Sequence, residues 1–73
     1  MARYNGHKNW NHWNVSLWLF NDEALYRLVM RHVRPSQNSL DVAAALILEE
    51  LPPETPDRAP YTFSSVRAAL RGL

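Results

Sequence analysis

The side chains with chemical potential in this chain are three histidines, the adjacent acids Asp22 and Glu23 and a short run of arginines; there is no cysteine and only two glycines. His7 and His12 lie five positions apart and His32 is distant from both. Zinc takes three or four ligands, usually at i,i+3 or i,i+4 on a helix or with thiolate help, and this spacing supplies neither. His32 falls in the middle of an apolar helical face, the setting of a hydrogen-bonded core imidazole. Asp22 and Glu23 are neighbours whose side chains diverge by about 100° on a helix, so they fit a first helical turn better than an acid–base couple. No Ser–His–Asp order, glycine-rich phosphate loop or paired-carboxylate pattern is present. The expectation is a protein with no enzyme activity, no metal and no cofactor.

The cations and aromatics point to binding instead. Arg27, Arg31 and Arg34 form a basic stripe, and Arg3, Lys8, Tyr4 and Trp10 mix charge with aromatic rings as single-strand nucleic-acid binders do. "LFNDE" offers a turn for a helix-turn-helix. Against that reading, the net charge is only +1, whereas DNA-reading domains are distinctly basic. The second helix also carries Leu, Val and Met where Asn, Gln, Ser or Lys would read bases. Residues 1–34 hold five Lys/Arg and two acids, and residues 35–73 hold three and five, so the basic half suits an acidic partner.

Three tryptophans, Trp10, Trp13 and Trp18, occupy nine positions. Trp10, among Lys8, Asn9 and Asn11, has the make-up of a half-exposed interface anchor. The expected contact surface is Tyr4, His7, Lys8 and Trp10 on a polar N-terminal edge, beside Arg27 and Arg31. Trp13 is expected as the core anchor, since Leu17 and Phe20 extend its face. Trp18, on another face, packs on a later helix or mediates self-association.

These side chains need helices to position them. Trp10, Trp13, Leu17 and Phe20 fall on one face of a helix, while Val15, Trp18 and Leu19 lie on other sides, marking a central helix or one with two partners. Trp, Val and Phe also favour strands, but the alternation is poor. In "NDEALYRLVMRHV" Asn21 is placed to cap a second helix, with Asp22 and Glu23 in its first turn. Leu25, Leu28, Val29, His32 and Val33 form its inner face, Glu23 and Arg27 an i,i+4 pair, and Pro35 ends it. A third helix starts near Asn38 or Ser39 and buries Leu40, Ala44, Ile47, Leu48 and Leu51. Residues 52–60, "PPETPDRAP", read as a stiff extended connector too polar for a core. A last short helix capped by Thr62 buries Phe63, Val66, Leu70 and Leu73. The expectation is all-α: a single domain over 1–73 of three to four short helices, with an irregular segment 1–9. Its core is expected at Trp13, Leu17, Trp18, Phe20, Leu25, Leu28, Ile47, Leu51, Val66 and Leu70.

A domain of 73 residues buries only about 60% of its unfolded surface and is marginally stable by itself. No apolar run approaches the ~20 residues of a membrane span, and the first residues lack the apolar stretch of a signal peptide. A soluble, cytoplasmic protein is expected.

The stretch "YNGHKNWNHWNVSLWLFNDEALY" resembles a family of short, uncharacterised proteins from bacteriophages and mobile elements. The resemblance rests on Tyr4, Asn5 and Gly6, then Trp13, Asn14, Val15, Leu17 and Trp18, then Asn21, Asp22, Glu23, Leu25 and Tyr26. It covers about a third of the chain, and it departs from the family pattern where His12 stands in place of a Thr. It implies a phage-type accessory protein without catalytic residues. Such a protein would bind a host protein in the bacterial cytoplasm, in host takeover or as an anti-defence inhibitor of the anti-CRISPR or anti-restriction type. A small DNA- or RNA-binding regulator is the alternative, and a structural or assembly component, seen as a homo-oligomer such as a homodimer, is the third.

The helical assignment has a direct check. Far-UV circular dichroism should show helix over well more than half the chain; a β-dominated spectrum would overturn the architecture.

Overall fold

A computed structural model describes residues 9–34 and 39–71 of the chain. Within them stand four helices: α1 (Trp10–Asn21), α2 (Glu23–Val33), α3 (Leu40–Glu50) and α4 (Phe63–Leu70). The fold is all-α; among the described residues the only β pairing is an isolated bridge between Glu54 and Pro60. No helix among them is long and apolar enough to cross a membrane.

Each helix begins on a short polar side chain that accepts an otherwise unpaired backbone N–H. Asn9 accepts from His12, Asp22 from Leu25, Ser39 from Val42 and Thr62 from Ser65, each cap being worth about 1 kcal/mol. Ser65 returns the bond to the Thr62 N–H at 3.0 Å, closing a reciprocal cap. The α2 cap differs from expectation. Asn21 is the last residue of α1, its Nδ2 donating to the Leu17 carbonyl at 2.9 Å, and Asp22 alone separates the helices while capping the second. A one-residue corner is too short for the 3–4-residue turn of a helix-turn-helix.

The helices close a ring in which α1 packs on α2 and α4, and α3 on the same two. Val15 and Leu19 from α1, Leu28 and Val29 from α2, Ala43, Ala44 and Ile47 from α3, and Val66, Ala69 and Leu70 from α4 fill its centre. Small residues at Ala43, Ala44 and Ala69 let the backbones approach closely. Phe20, Leu25 and Leu51 are partly buried against this cluster, and ion pairs Arg67–Asp41 and Arg31–Glu50 tie α3 to its neighbours.

The inward face of α1 is not the expected one. Val15 and Leu19 are fully buried, whereas Leu17 is 36% exposed, and Trp13 and Trp18 are only half-buried. Trp13 and Leu17 lie roughly 160–200° around the helix from Val15, at about 100° per residue. Because α1 is apolar on nearly every side, periodicity did not select the side that faces inward. Phe63, expected inside, is 44% exposed at the first position of α4, where helix follows it on one side only. Leu73 lies outside the described residues.

The Pro-rich connector also departs from expectation, since Thr55 and Ala59 are buried. The Thr55 carbonyl accepts the Arg58 N–H at 2.8 Å, the Thr55 N–H donates to the Ala59 carbonyl at 2.8 Å, and the Tyr61 N–H donates to the Pro53 carbonyl at 3.1 Å. Arg58 takes the left-handed conformation that closes this turn, with φ 70°, a region that usually costs a residue with a Cβ about 1 kcal/mol. The connector is thus a strap folded onto α1.

Truncation separates the two faces of α1. Leu19→Ala should cost about 2–5 kcal/mol, much of the stability of a domain this small, while Leu17→Ala should cost below about 1 kcal/mol. Equal melting losses for the two variants would reverse the assignment.

Candidate functional site

Three polar side chains of α1, Asn11, Asn14 and Trp18, hold the strap. Asn14 sits in the buried flank of α1, 2% exposed, where an unpaired amide would cost about 1–3 kcal/mol. Its Oδ1 accepts the Thr55 hydroxyl at 2.6 Å and its Nδ2 donates to Asp57 Oδ2 at 2.9 Å. Trp18 Nε1 donates to the same carboxylate oxygen at 2.9 Å, and Thr55 Oγ1 also accepts the Ala59 N–H at 3.0 Å. One turn earlier, Asn11 Nδ2 donates to the Pro60 carbonyl at 2.8 Å. The Asn14 amide and, after it, the Trp18 indole hold the Asp57 carboxyl below the usual aspartate range, because both donate to its charged form. Trp18 is therefore a tether for the strap. Neither Asn14 nor Asp57 was singled out from the sequence as an anchor; an amide inside an apolar helix, with Thr and Asp in a later connector, was the available signal.

The histidines are spread apart. Ser64 Oγ lies 3.1 Å from His12 Nε2, a contact that joins the start of α4 to α1, and His12 is buried. His32 is half-buried, its Nε2 bonded to Glu50 Oε2 across the α2–α3 contact. His7 lies outside the described residues. Among the described residues no three His, Cys, Asp or Glu side chains converge on a common point.

A surface open to a ligand lies on α2. Tyr26, Arg27, Met30, Arg31 and Arg34 line a shallow groove of about 570 Å³, in which Tyr26 and Met30 supply apolar surface and three guanidiniums supply charge. Arg27 reaches Glu23 at 2.8 Å, both strongly exposed, and Arg31 reaches Glu50 at 3.4 Å. Arg34 has no carboxylate partner among the described residues. The Tyr26 ring meets Phe20 edge to face with centroids 6.2 Å apart, so the groove adjoins the last turn of α1.

The expected contact surface is only partly assembled. Arg27 and Arg31 share the groove with Tyr26, Met30 and Arg34, whereas Trp10, 40% exposed, stands at the start of α1 and is not among the groove's lining residues. Tyr4, His7 and Lys8 lie outside the described residues.

The Asp57 tether carries a pH signature. A carboxyl with a lowered folded-state value stabilises the fold above its unfolded value of about 3.9, and that contribution is lost as pH falls through the lower folded value. Asp57→Asn should therefore melt below the parent at pH 7, and the gap should narrow as pH drops from about 4 downward. A gap that stays constant to the acid limit would remove the Asp57 charge from the strap's anchorage.

A family model described as "Family of unknown function (DUF7249)" matches residues 1–69. No curated protein and no solved structure matches the chain.

Proposed function

This chain belongs to the family of unknown function DUF7249, and on that premise we propose that it works by binding rather than by catalysis. In this reading it is an accessory protein of the phage or mobile-element type, acting in the host bacterial cytoplasm. It occupies an acidic surface of a host protein through the α2 groove, as an anti-defence inhibitor does. The resemblance in residues 4–26 supports the phage assignment. The observation that carries the binding reading is the groove, where Arg27, Arg31 and Arg34 lie beside Tyr26 and Met30. Arginine and aromatic side chains are the commonest anchors of protein interfaces, and positive charge at the rim speeds encounter with an acidic partner.

The row of arginines also favours nucleic acid as a second reading. The pairing within the groove weighs against it. Arg27 and Arg31 are already engaged by Glu23 and Glu50 and the chain's net charge is only +1, so the groove carries too little net positive charge for the run of phosphates along a nucleic-acid backbone. A protein presenting one or two carboxylates and an apolar side chain suits the groove better.

Arg27 and Arg31 are largely exposed, and exposed ion pairs contribute at most about 1 kcal/mol, so replacing both with Ala should leave the helical spectrum intact. Affinity capture from bacterial lysate with the parent chain should retain a host protein that the double variant binds at least about tenfold more weakly. The association rate of the variant should also depend less on salt. Sub-micromolar binding to random duplex or single strands at physiological salt, steep in salt and lost in the double variant, would overturn this reading in favour of a regulator.

A further inference from the structure

The groove on α2 is made of two neighbouring stripes of different chemistry. Tyr26 and Met30 form the apolar one, and Arg27, Arg31 and Arg34 the cationic one beside it. The three cations are not equally available. Arg27 is held at 2.8 Å by Glu23 of its own helix. Arg31 reaches Glu50 only at 3.4 Å, and the same carboxylate also bonds His32. Arg34 has no carboxylate partner among the described residues. Arg31 and Arg34 are therefore the pair an incoming anion meets, about 4.5 Å apart along the helix axis.

Resting on the reading that this groove binds an acidic partner protein, we propose that the element it takes is an amphipathic α-helix lying antiparallel to α2. That helix carries carboxylates at two positions three apart, j and j+3, and an apolar side chain at j+7. The spacing follows from the groove. A carboxylate at j set against Arg34 puts the one at j+3 against Arg31, because both helices rise about 1.5 Å per residue. The side chain at j+7 then lies about 10.5 Å from Arg34, between Met30 at about 6 Å and Tyr26 at about 12 Å. The antiparallel direction keeps both acids toward the N-terminal end of the incoming helix, where they stabilise it.

The backbone decides for a helix over an extended segment. A docked strand gains its affinity from main-chain hydrogen bonds to a sheet edge. Here the backbone of α2 is paired within the helix, from the Tyr26 N–H on the Asp22 carbonyl to the Met30 carbonyl under the Arg34 N–H. Among the described residues the only β pairing is the bridge within the strap. A helix brings its own backbone bonds and needs only side-chain contacts. Charge decides for a different protein. Residues 1–8 of this chain bring Arg3 and Lys8 with no acid, and residues 35–38, PSQN, bring no charge. A second copy does not fit either: α1 and α4 carry no acid, α2 only Glu23, and Asp41, Glu49 and Glu50 of α3 are nowhere three or four apart.

Three labelled peptides of about 20 residues, Ala- and Gln-rich so that they can form helix, test this by fluorescence anisotropy with the chain at up to about 500 µM. The first carries Glu at j and j+3 and Leu at j+7. The second has the j+3 Glu moved to j+2, on the opposite face, and the third has Pro at j+5 to break the helix. The first should bind at least about tenfold more tightly than either of the others, and Arg34→Ala should weaken it at least about fivefold. Arg34 is exposed, so the helical spectrum of that variant should match the parent's. First and second peptides that bind alike, both weakened by the Arg27 and Arg31 double substitution, overturn the helix and leave the acidic-partner reading standing. A Pro peptide that binds as tightly as the first gives the groove to an extended segment and overturns it too. So does failure of all three peptides while capture of a host protein still depends on Arg27 and Arg31. Only the loss of that capture together with the peptides removes both readings.

Discussion

A single buried amide sets the geometry of this domain. Asn14 lies within an otherwise apolar helix, where its oxygen and nitrogen both need partners, and the partners come from Thr55 and Asp57, about forty residues further on. Satisfying them requires the connector to lie along α1. That fixes the rotation of α1 about its own axis, so Val15 and Leu19 turn inward while Trp13 and Leu17 turn away. The strap then runs directly into the Thr62 cap, so the same bonds deliver α4 to α1. Cap, strap and core are consequences of one requirement: a polar group taken out of water must be paired.

The aromatic mass of the chain consequently sits around the core rather than in it. The centre is built from Val, Leu, Ile and Ala, which lets four short helices approach within a ring of modest size. The tryptophans occupy the flanks, where Trp18 can bury its ring edge and still place its indole N–H on Asp57. Phe20 and Tyr26 bridge the α1–α2 corner, the place where the apolar outer face of α1 meets the arginine groove of α2. The uncharged helix α1 and the cationic groove of α2 are thus neighbours that differ in chemistry.

Electrostatics in the groove is balanced rather than strongly positive. Glu50 serves both Arg31 and His32 across the α2–α3 contact, and Glu23 takes Arg27. The groove cations are therefore held in position by exposed carboxylates, and such pairs exchange partners at little cost because each is screened by water. An incoming carboxylate finds guanidiniums already oriented, with Arg34 available to it directly.

Helix content, the Thr62 cap, the inner faces of α2 and α3 and the basic row on α2 were legible in the sequence. Each of these is a local property: side-chain oxygens that accept first-turn N–H groups, or apolar spacing of three and four on a helix with a clear polar side. On α2 the arginines oppose Leu28 and Val29, so the pattern itself names the buried side. On α1 no charged residue marks the outside, every sector is apolar or neutral, and periodicity is silent about orientation. The strap was misread for a related reason. Four prolines and several charges in residues 52–60 describe an extended solvated segment, yet the burial of Thr55 and Ala59 depends on an acceptor on α1 that is distant in sequence. What the sequence determined by itself was the set of helices and, to within about a residue, where each begins. Which side of α1 faces the core, and hence which tryptophans meet solvent, was decided only by the tertiary hydrogen bonds of Asn14, because those bonds join residues that local pattern cannot relate.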